Sequence, residues 1–385
     1  MVTGAYYPEV SGAANQCRQL VNELRGKVNF MVLTTSRDHN LSPRCQVDGV
    51  DVFRLLLNTK NVWSYCGAIL ELTTFFLFQR KDFQVVHLHG FSAKSILLVL
   101  LSKLFNKKII IKMTSIEHDD PLAMEKRGFY LNWFYSRANA YVGTSQQFKN
   151  IYQKNSYLPE ERFMLIPNGV DTESFCSVSN REKRRLRQQL GLPLELKIIL
   201  FIGHFSKDKN PDILINIWKD SVVNVYPDSG IVFVGRTSPD HYEVDVDIVK
   251  EVKRLAKPYQ DKRIFFVEKT HDIEKYYQAS DIFVMPSLRE GLPNAMLEAM
   301  SCELPVILSK LETLTEWVVE DGLNGFLFPP GNEVELSEKL ILVLSNSDLS
   351  IALGKRARKT ILERFSMNTV AGLYRELYRR LIPLA

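Results

Sequence analysis

Two carboxylates, Glu290 and Glu298, are separated by seven residues in PSLREGLPNAMLEAMSCELPVILS (286–309), which reads as a strand end, a loop, a helix and a second strand. Pro293 falls where a first helical turn tolerates proline, so the amides around Gly291, Leu292, Asn294 and Ala295 face outward from the helix tip. Such a tip suits an anion. Glu298 follows about one and a half turns into the helix, among Ala295, Met296, Leu297, Ala299 and Met300. A carboxylate in that apolar company is costly unless donors meet it, and the ribose hydroxyls of a nucleotide would meet it. The competing reading, a glutamate balancing the helix dipole, is weaker because that effect fades beyond the first turn. Glu290 reads equally well as a ligand or as a solvated loop residue.

A second segment, ILFIGHFSKDKNP (199–211), ends a strand at Gly203 and places Lys207 and Lys209 just before Asn210, an expected N-cap, and Pro211, an expected first helical residue. Lysines beside a helix N-terminus suit a diphosphate whose charge grows as it leaves; a solvated basic loop is the alternative. His204, when protonated, is a further source of charge there. Near the chain start, Gly12 opens a helix where backbone can approach a ligand closely. His89 closes the strand VVHLHG (85–90) and reads as catalytic or structural, while His87 reads as a strand residue. No H-E-x-x-H or G-x-x-x-x-G-K-[ST] pattern appears, so neither metal nor cofactor is expected; lysine and helix amides are expected to meet the phosphate charge instead.

These residues need a scaffold that delivers strand ends to one edge. In the first half, 28–34, 50–56, 84–88, 108–113 and 140–142 read as strands alternating with helices. The alternation restarts with 197–203, 230–235, 263–268, 281–286, 305–309 and 325–328. Repeated βαβ units predict an α/β protein of two doubly wound parallel sheets. The predicted divisions are an acceptor-side domain 1–167, a linker 168–195 containing the basic run 181–187, a second domain 196–366, and a final helix in 367–385 packing on either domain. Asn168, Gly169 and Asp171 mark the expected hinge. Only Met1–Thr3 precede the first turn, a short central strand that is expected to be weakly held and to reflect a start placed downstream of the real one.

The 385 residues, 45% hydrophobic and 24% charged, describe a globular chain, and a net charge of +5 gives no reason to expect nucleic acid as a partner. Five cysteines without a C-x-x-C pair argue against zinc and against a disulfide framework, which fits a reducing cytoplasm, as does the lack of a secretory signal pattern. The weakly charged window 61–79 is expected to be a buried amphipathic helix; the alternative is a peripheral membrane contact through the N-terminal domain, on the inner face of the cytoplasmic membrane.

Taken in order, these segments resemble the retaining GT-B glycosyltransferases of family 4. EGLPNAMLEAM (290–300) resembles the family's E-x7-E signature, YYPEVSGAANQ (6–16) its first loop, VVHLHG its histidine strand, IPNGVD (166–171) its hinge, and 199–211 its phosphate loop. The resemblance implies two Rossmann-like domains facing a central cleft. It also implies a UDP- or GDP-sugar donor, a glycan or lipid-linked acceptor, and metal-independent transfer in surface-polysaccharide assembly. Glu290 would contact donor-sugar hydroxyls and Glu298 the ribose. Gly203, His204, Lys207, Lys209 and the amides of Gly291, Leu292, Asn294 and Ala295 would surround the diphosphate and sugar. Gly12 would approach the acceptor or diphosphate, and His89 the reacting sugar. His204 departs from the family's arginine and Ser11 from its glycine. A nucleotide-sugar epimerase of the same shape and a non-catalytic partner-binding subunit are the alternatives.

Overall fold

The computed structural model of the protein describes residues 1–9, 11–56, 62–92, 95–155, 157–238, 244–268, 270 and 272–382, with helix 62–65 described by its backbone alone. The chain forms two compact units, one of residues 1–169 with 367–385 and the other of residues 170–366.

The first unit contains strands β1 (Val2–Thr3), β2 (Met31–Ser36), β3 (Arg44–Val47), β4 (Val50–Leu56), β5 (Val85–His89), β6 (Lys108–Lys112), β7 (Ala140–Gly143) and β8 (Phe163–Leu165). They form one sheet in the order β3-β4-β2-β1-β5-β6-β7-β8, parallel throughout except where β3 returns against β4. Ile109, Ile110 and Ile111 of β6 are all fully buried, as a strand covered on both faces requires. β3 was not expected from the sequence. It folds back through Asp48-Gly49, both with positive φ, as a two-residue type I′ hairpin demands. β1 has two residues yet stands in the middle, Val2 pairing with Leu33 on one side and Leu88 on the other. Beyond its start lies a cavity of about 670 Å³ lined by Met1, Phe30, Phe76, Val86 and Tyr378 among others.

The last helix, Met367–Leu381, belongs to this first unit. It buries Val370 and Leu377 as expected, but Tyr374 and Tyr378 dominate its inner face against Leu20, Leu24 and Ile110. The window 61–79 corrects its expectation. Among its described side chains, the helix Val62–Gln79 buries a narrow strip, Leu72 and Phe76, and leaves Ile69, Leu70, Leu77 and Phe78 exposed; Asn61 lies outside the described residues. Among the described residues, no helix is long and apolar enough to cross a membrane.

The second unit contains β9 (Lys197–Ile202), β10 (Ser229–Val234), β11 (Ile264–Val267), β12 (Ile282–Met285), β13 (Val306–Ser309) and β14 (Phe326–Phe328), all parallel, in the order β11-β10-β9-β12-β13-β14. Each falls within a residue or two of its sequence-derived position. The stretch 168–195 is more than a linker. Its basic run forms the helix Asn180–Gln189, capped by Ser179. Lys183 and Arg187 both bond Asp281, and Arg187 also donates to the carbonyls of Ala279, Leu194 and Leu196. Two cations of the basic run, Lys183 and Arg187, thus anchor that helix to the second sheet.

In both sheets the chain leaves a central strand, builds outward on one side, and returns to build on the other. The reversals fall between β1 and β5 and between β9 and β12. Helices leave such a pair in opposite directions, which opens the carboxyl edge there. The opening in the second unit depends on close backbone approach, for a Cβ on Gly235 would lie 1.8 Å from the carbonyl oxygen of Gly203. Gly235→Ala should therefore lower stability by about 2 kcal/mol or more. Gly372→Ala, at an open helical position, should raise it by up to about 1 kcal/mol. Denaturant titration of the two variants checks both signs.

Candidate active site

The reversal between β9 and β12 is where most sequence-selected residues gather. The loop 203–210 leaves β9 and leads into the helix Pro211–Ile217; the loop 286–293 leaves β12 and leads into the helix Asn294–Ser301. The two loops are stitched together, since the Leu288 amide donates to the Asp208 carbonyl at 2.7 Å and Arg289 bonds the Asp208 carboxylate at 2.9 Å. Beneath that stitch, Lys209 Nζ lies 2.6 and 2.7 Å from the two oxygens of Glu290, and Ser287 Oγ donates to Glu290 Oε1 at 2.7 Å. The Glu290 side chain is 7% exposed, so it is a shielded carboxylate with its donors in place and not a solvated loop residue.

Other positions separate by role. Gly203 packs against the stem of Lys209 at ordinary van der Waals distance. His204 follows it, half-buried. Lys207 is 82% exposed and reaches only Asp245, at 3.8 Å. Asn210 does not cap its helix through its side chain; it adopts a left-handed conformation with φ 51°. Asp245 caps the helix Val246–Ala256 by accepting from the amides of Asp247 and Ile248. Among the described residues there is no group of three or more His, Cys, Asp or Glu side chains able to hold a metal ion.

The helix Asn294–Ser301 starts one residue later than the proline suggested. Pro293 occupies the N-cap position without a side-chain cap of its own, and that helix end lies at the carboxyl edge beside Gly291, Leu292 and Ala295. Within the helix, Glu298 sits among buried Met296, Leu297, Ala299 and Met300. Part of the donor demand is met by protein, because Tyr277 donates to Glu298 Oε2 at 2.8 Å. Burial nevertheless pushes the Glu298 carboxyl up to about 7; the Tyr277 bond opposes the shift and Glu274 adds to it. Tyr277 and Ser287 escaped the sequence reading: Tyr277 meets Glu298 only through the fold, and Ser287, three residues before Glu290, had no pattern to single it out.

In the first unit, Gly12 and His89 flank the other reversal. Gly12 is the exposed first residue of the helix Gly12–Glu23, and Ser11, read as a missing glycine, is its N-cap, accepting from the Ala14 amide at 3.1 Å. His89 ends β5 with both ring nitrogens buried and without a hydrogen-bond partner among the described residues. Its ring lies 4.7 Å from that of His87, whose Nδ1 meets Tyr378 Oη at 2.9 Å. Burial holds both imidazoles well below their usual range, helped for His89 by His87 and Lys112, so both are neutral. Lys112, paired with His89 in register, is itself buried and lowered to about 8 by desolvation; its Nζ donates to Asn168 Oδ1 at 2.9 Å. Gly169 is gripped by Gln16, which donates to its carbonyl at 2.8 Å and accepts from its amide at 3.0 Å. Asp171, in the second unit, accepts from the Glu173 and Ser174 amides in a local turn.

Comparison with known proteins now has a geometry to meet. Residues 182–360 match the family model for glycosyl transferases group 1, and residues 10–174 match that for glycosyltransferase family 4. An uncharacterised glycosyltransferase of Haemophilus influenzae is 29% identical over 202 residues, 52% of this chain and 54% of that one. The UDP-Gal:alpha-D-GlcNAc-diphosphoundecaprenol alpha-1,3-galactosyltransferase of Escherichia coli is 30% identical over 234 residues, 60% of this chain and 57% of that one. The chain thus spans little more than half the length of either relative. The solved structure of Anabaena HepE in complex with UDP and glucose shares the fold, with a TM-score of 0.76 at 17% identity over 98% of both chains.

The Glu298 shift carries a sign. A carboxyl whose folded pKa, about 7, exceeds its unfolded value of 4.5 contributes its full stability below 4.5 and loses it as the pH rises through 7. Because the residue keeps some solvent access, the loss is discounted to on the order of 1–2 kcal/mol. The ligand-free protein should therefore lose stability from pH 5 to pH 8 more steeply than Glu298→Gln in thermal unfolding, and parallel profiles would show that the carboxyl is not desolvated.

Proposed function

Because this chain belongs to glycosyltransferase family 4, we propose that it moves a sugar from a UDP- or GDP-sugar to a hydroxyl of a glycan or lipid-linked acceptor, with retention of anomeric configuration. The setting we assign is surface-polysaccharide assembly on the cytoplasmic side. The observation that carries the reading is the Lys209–Glu290 pair beside the start of the helix Asn294–Ser301, with Glu298 farther along that helix.

In this reading the diphosphate lies against the tip of the helix Asn294–Ser301 and takes Lys209 Nζ from Glu290. Glu290 then turns its lone pairs to the donor-sugar hydroxyls, still steadied by Ser287. Glu298 accepts from the ribose while Tyr277 holds its other oxygen. Charge building on the leaving phosphate is met by Lys209 and backbone amides, already oriented before the reaction. The bond from the anomeric carbon to the phosphate oxygen breaks as the bond to the acceptor oxygen forms on the same face. The acceptor proton passes to the departing phosphate. His89, neutral and without partners for its nitrogens among the described residues, can accept or donate a hydrogen bond to a sugar hydroxyl brought to the carboxyl edge of the first sheet.

Glu298→Ala should weaken UDP or GDP binding about tenfold or more, the loss of charge-assisted hydrogen bonds, with unchanged affinity in titration calorimetry refuting the ribose role. Lys209→Met leaves Glu290 shielded and unpaired and should cost about 3 kcal/mol of stability along with turnover. Adding Glu290→Gln should restore the stability and leave turnover absent. Chemical denaturation and product detection, with and without acceptor, check the pair and separate transfer from epimerisation.

A further inference from the structure

Three helices of the first unit lie side by side: Val62–Gln79, Ser95–Leu104 and Phe129–Tyr135, the middle one touching both others. Each turns apolar side chains outward. Phe78 is 78% exposed, Leu104 74%, Phe129 75% and Tyr130 80%, with Leu77, Leu100 and Trp133 also exposed. Their positions join into one patch. Lys107 donates to the carbonyl of Phe83, and the Arg80 guanidinium lies 5.3 Å from the Phe105 ring, so the ends bearing Phe78 and Leu104 are neighbours. On the far side the Arg137 guanidinium covers Trp133 at 4.1 Å.

The cations on this face outnumber the acids, although Asp82 acts on Lys107. Lys103 is held below its usual range first by burial and then by Arg137, Arg162 and Lys108, with no acid acting on it. Among the described residues, Arg80, Lys103, Lys107, Lys108 and Arg137 form no ion pair; the acids between 62 and 137 are Glu71, Asp82, Glu117, Asp119, Asp120 and Glu125, of which Asp119 and Asp120 are buried. Aromatic and leucine side chains standing proud of a rim of unpaired lysine and arginine match the boundary of a bilayer whose headgroups are anionic: apolar tips enter the interface while cations meet phosphate. A soluble protein partner would have to match this excess positive charge while covering three helices' worth of exposed apolar side chains, whereas a bilayer presents both properties as one continuous sheet.

We propose that the face formed by helices 62–79, 95–104 and 129–135 docks the protein on an anionic lipid bilayer, independently of what the carboxyl edges bind. Flotation of the full chain with vesicles of phosphatidylcholine, alone or in equal parts with phosphatidylglycerol, tests it. The protein should float with the anionic vesicles only, and added salt should release it. Lys103→Gln with Arg137→Gln should lower the partition about tenfold or more. Phe78→Ser with Leu104→Ser should do likewise, both pairs keeping the wild-type unfolding midpoint because the side chains are exposed. A blue shift in tryptophan emission on adding anionic vesicles, lost in Trp133→Phe, should accompany binding. Recovery of the wild type in the aqueous fraction, equal flotation with neutral vesicles, or variants that float as the wild type does would each overturn the proposal. So would sedimentation showing that the patch seals a dimer which the same substitutions dissolve.

Discussion

Where two neighbouring parallel strands send their chains in opposite directions, the sheet edge has to open, and in the second unit that opening holds an ion pair. Lys209 arrives from the strand that builds one side, and Glu290 from the strand that builds the other. Neither is near the other in sequence, and neither loop could fix its charge alone. The Leu288–Asp208 and Arg289–Asp208 bonds tie the loops so that the pair is held before any ligand comes. Shielded ion pairs seldom stabilise a fold by much, since desolvation offsets their attraction. This one is better understood as stored recognition: an anion can displace the carboxylate, and a hydroxyl-rich ligand can replace the lysine.

Much of this was legible in the sequence because parallel sheets advertise themselves. Strands buried on both faces are short β-branched runs, and β9, β10 and β12 were found that way. The glutamate spacing likewise located the helix that matters. What stayed hidden falls into two kinds. β3 is a four-residue edge strand, Arg44–Val47, with no apolar run to mark it, although the Asp48-Gly49 turn carried a signal. Tyr277 and Gln16 act across distances that only tertiary structure closes. Asn210 holds the expected N-cap position but in a left-handed conformation without a capping side chain, and Ser11, where the resemblance implied glycine, caps its helix as its residue type suits.

The first unit uses a different electrostatic idea. Its carboxyl edge collects basic groups, His87, His89 and Lys112, and burial keeps the imidazoles neutral and weakens the lysine's charge. Neutral imidazole can both give and take a hydrogen bond, which suits an uncharged hydroxyl better than a fixed cation would. The His87 orientation is set by Tyr378 and the Asn168 side chain by Lys112, so the chemistry-bearing edge is braced from beneath.

Tyr378 also has a temporal meaning. It lies on the helix Met367–Leu381, which completes the first unit although all of the second unit lies between that helix and the rest of it. On a ribosome, residues 170–366 emerge and can close their own sheet while the first unit still lacks its final brace. The newborn amino-terminal half must wait with Ile110, Leu20 and Leu24 uncovered until the last helix is released. Until then, the imidazole pair beside that helix has no phenol to settle against.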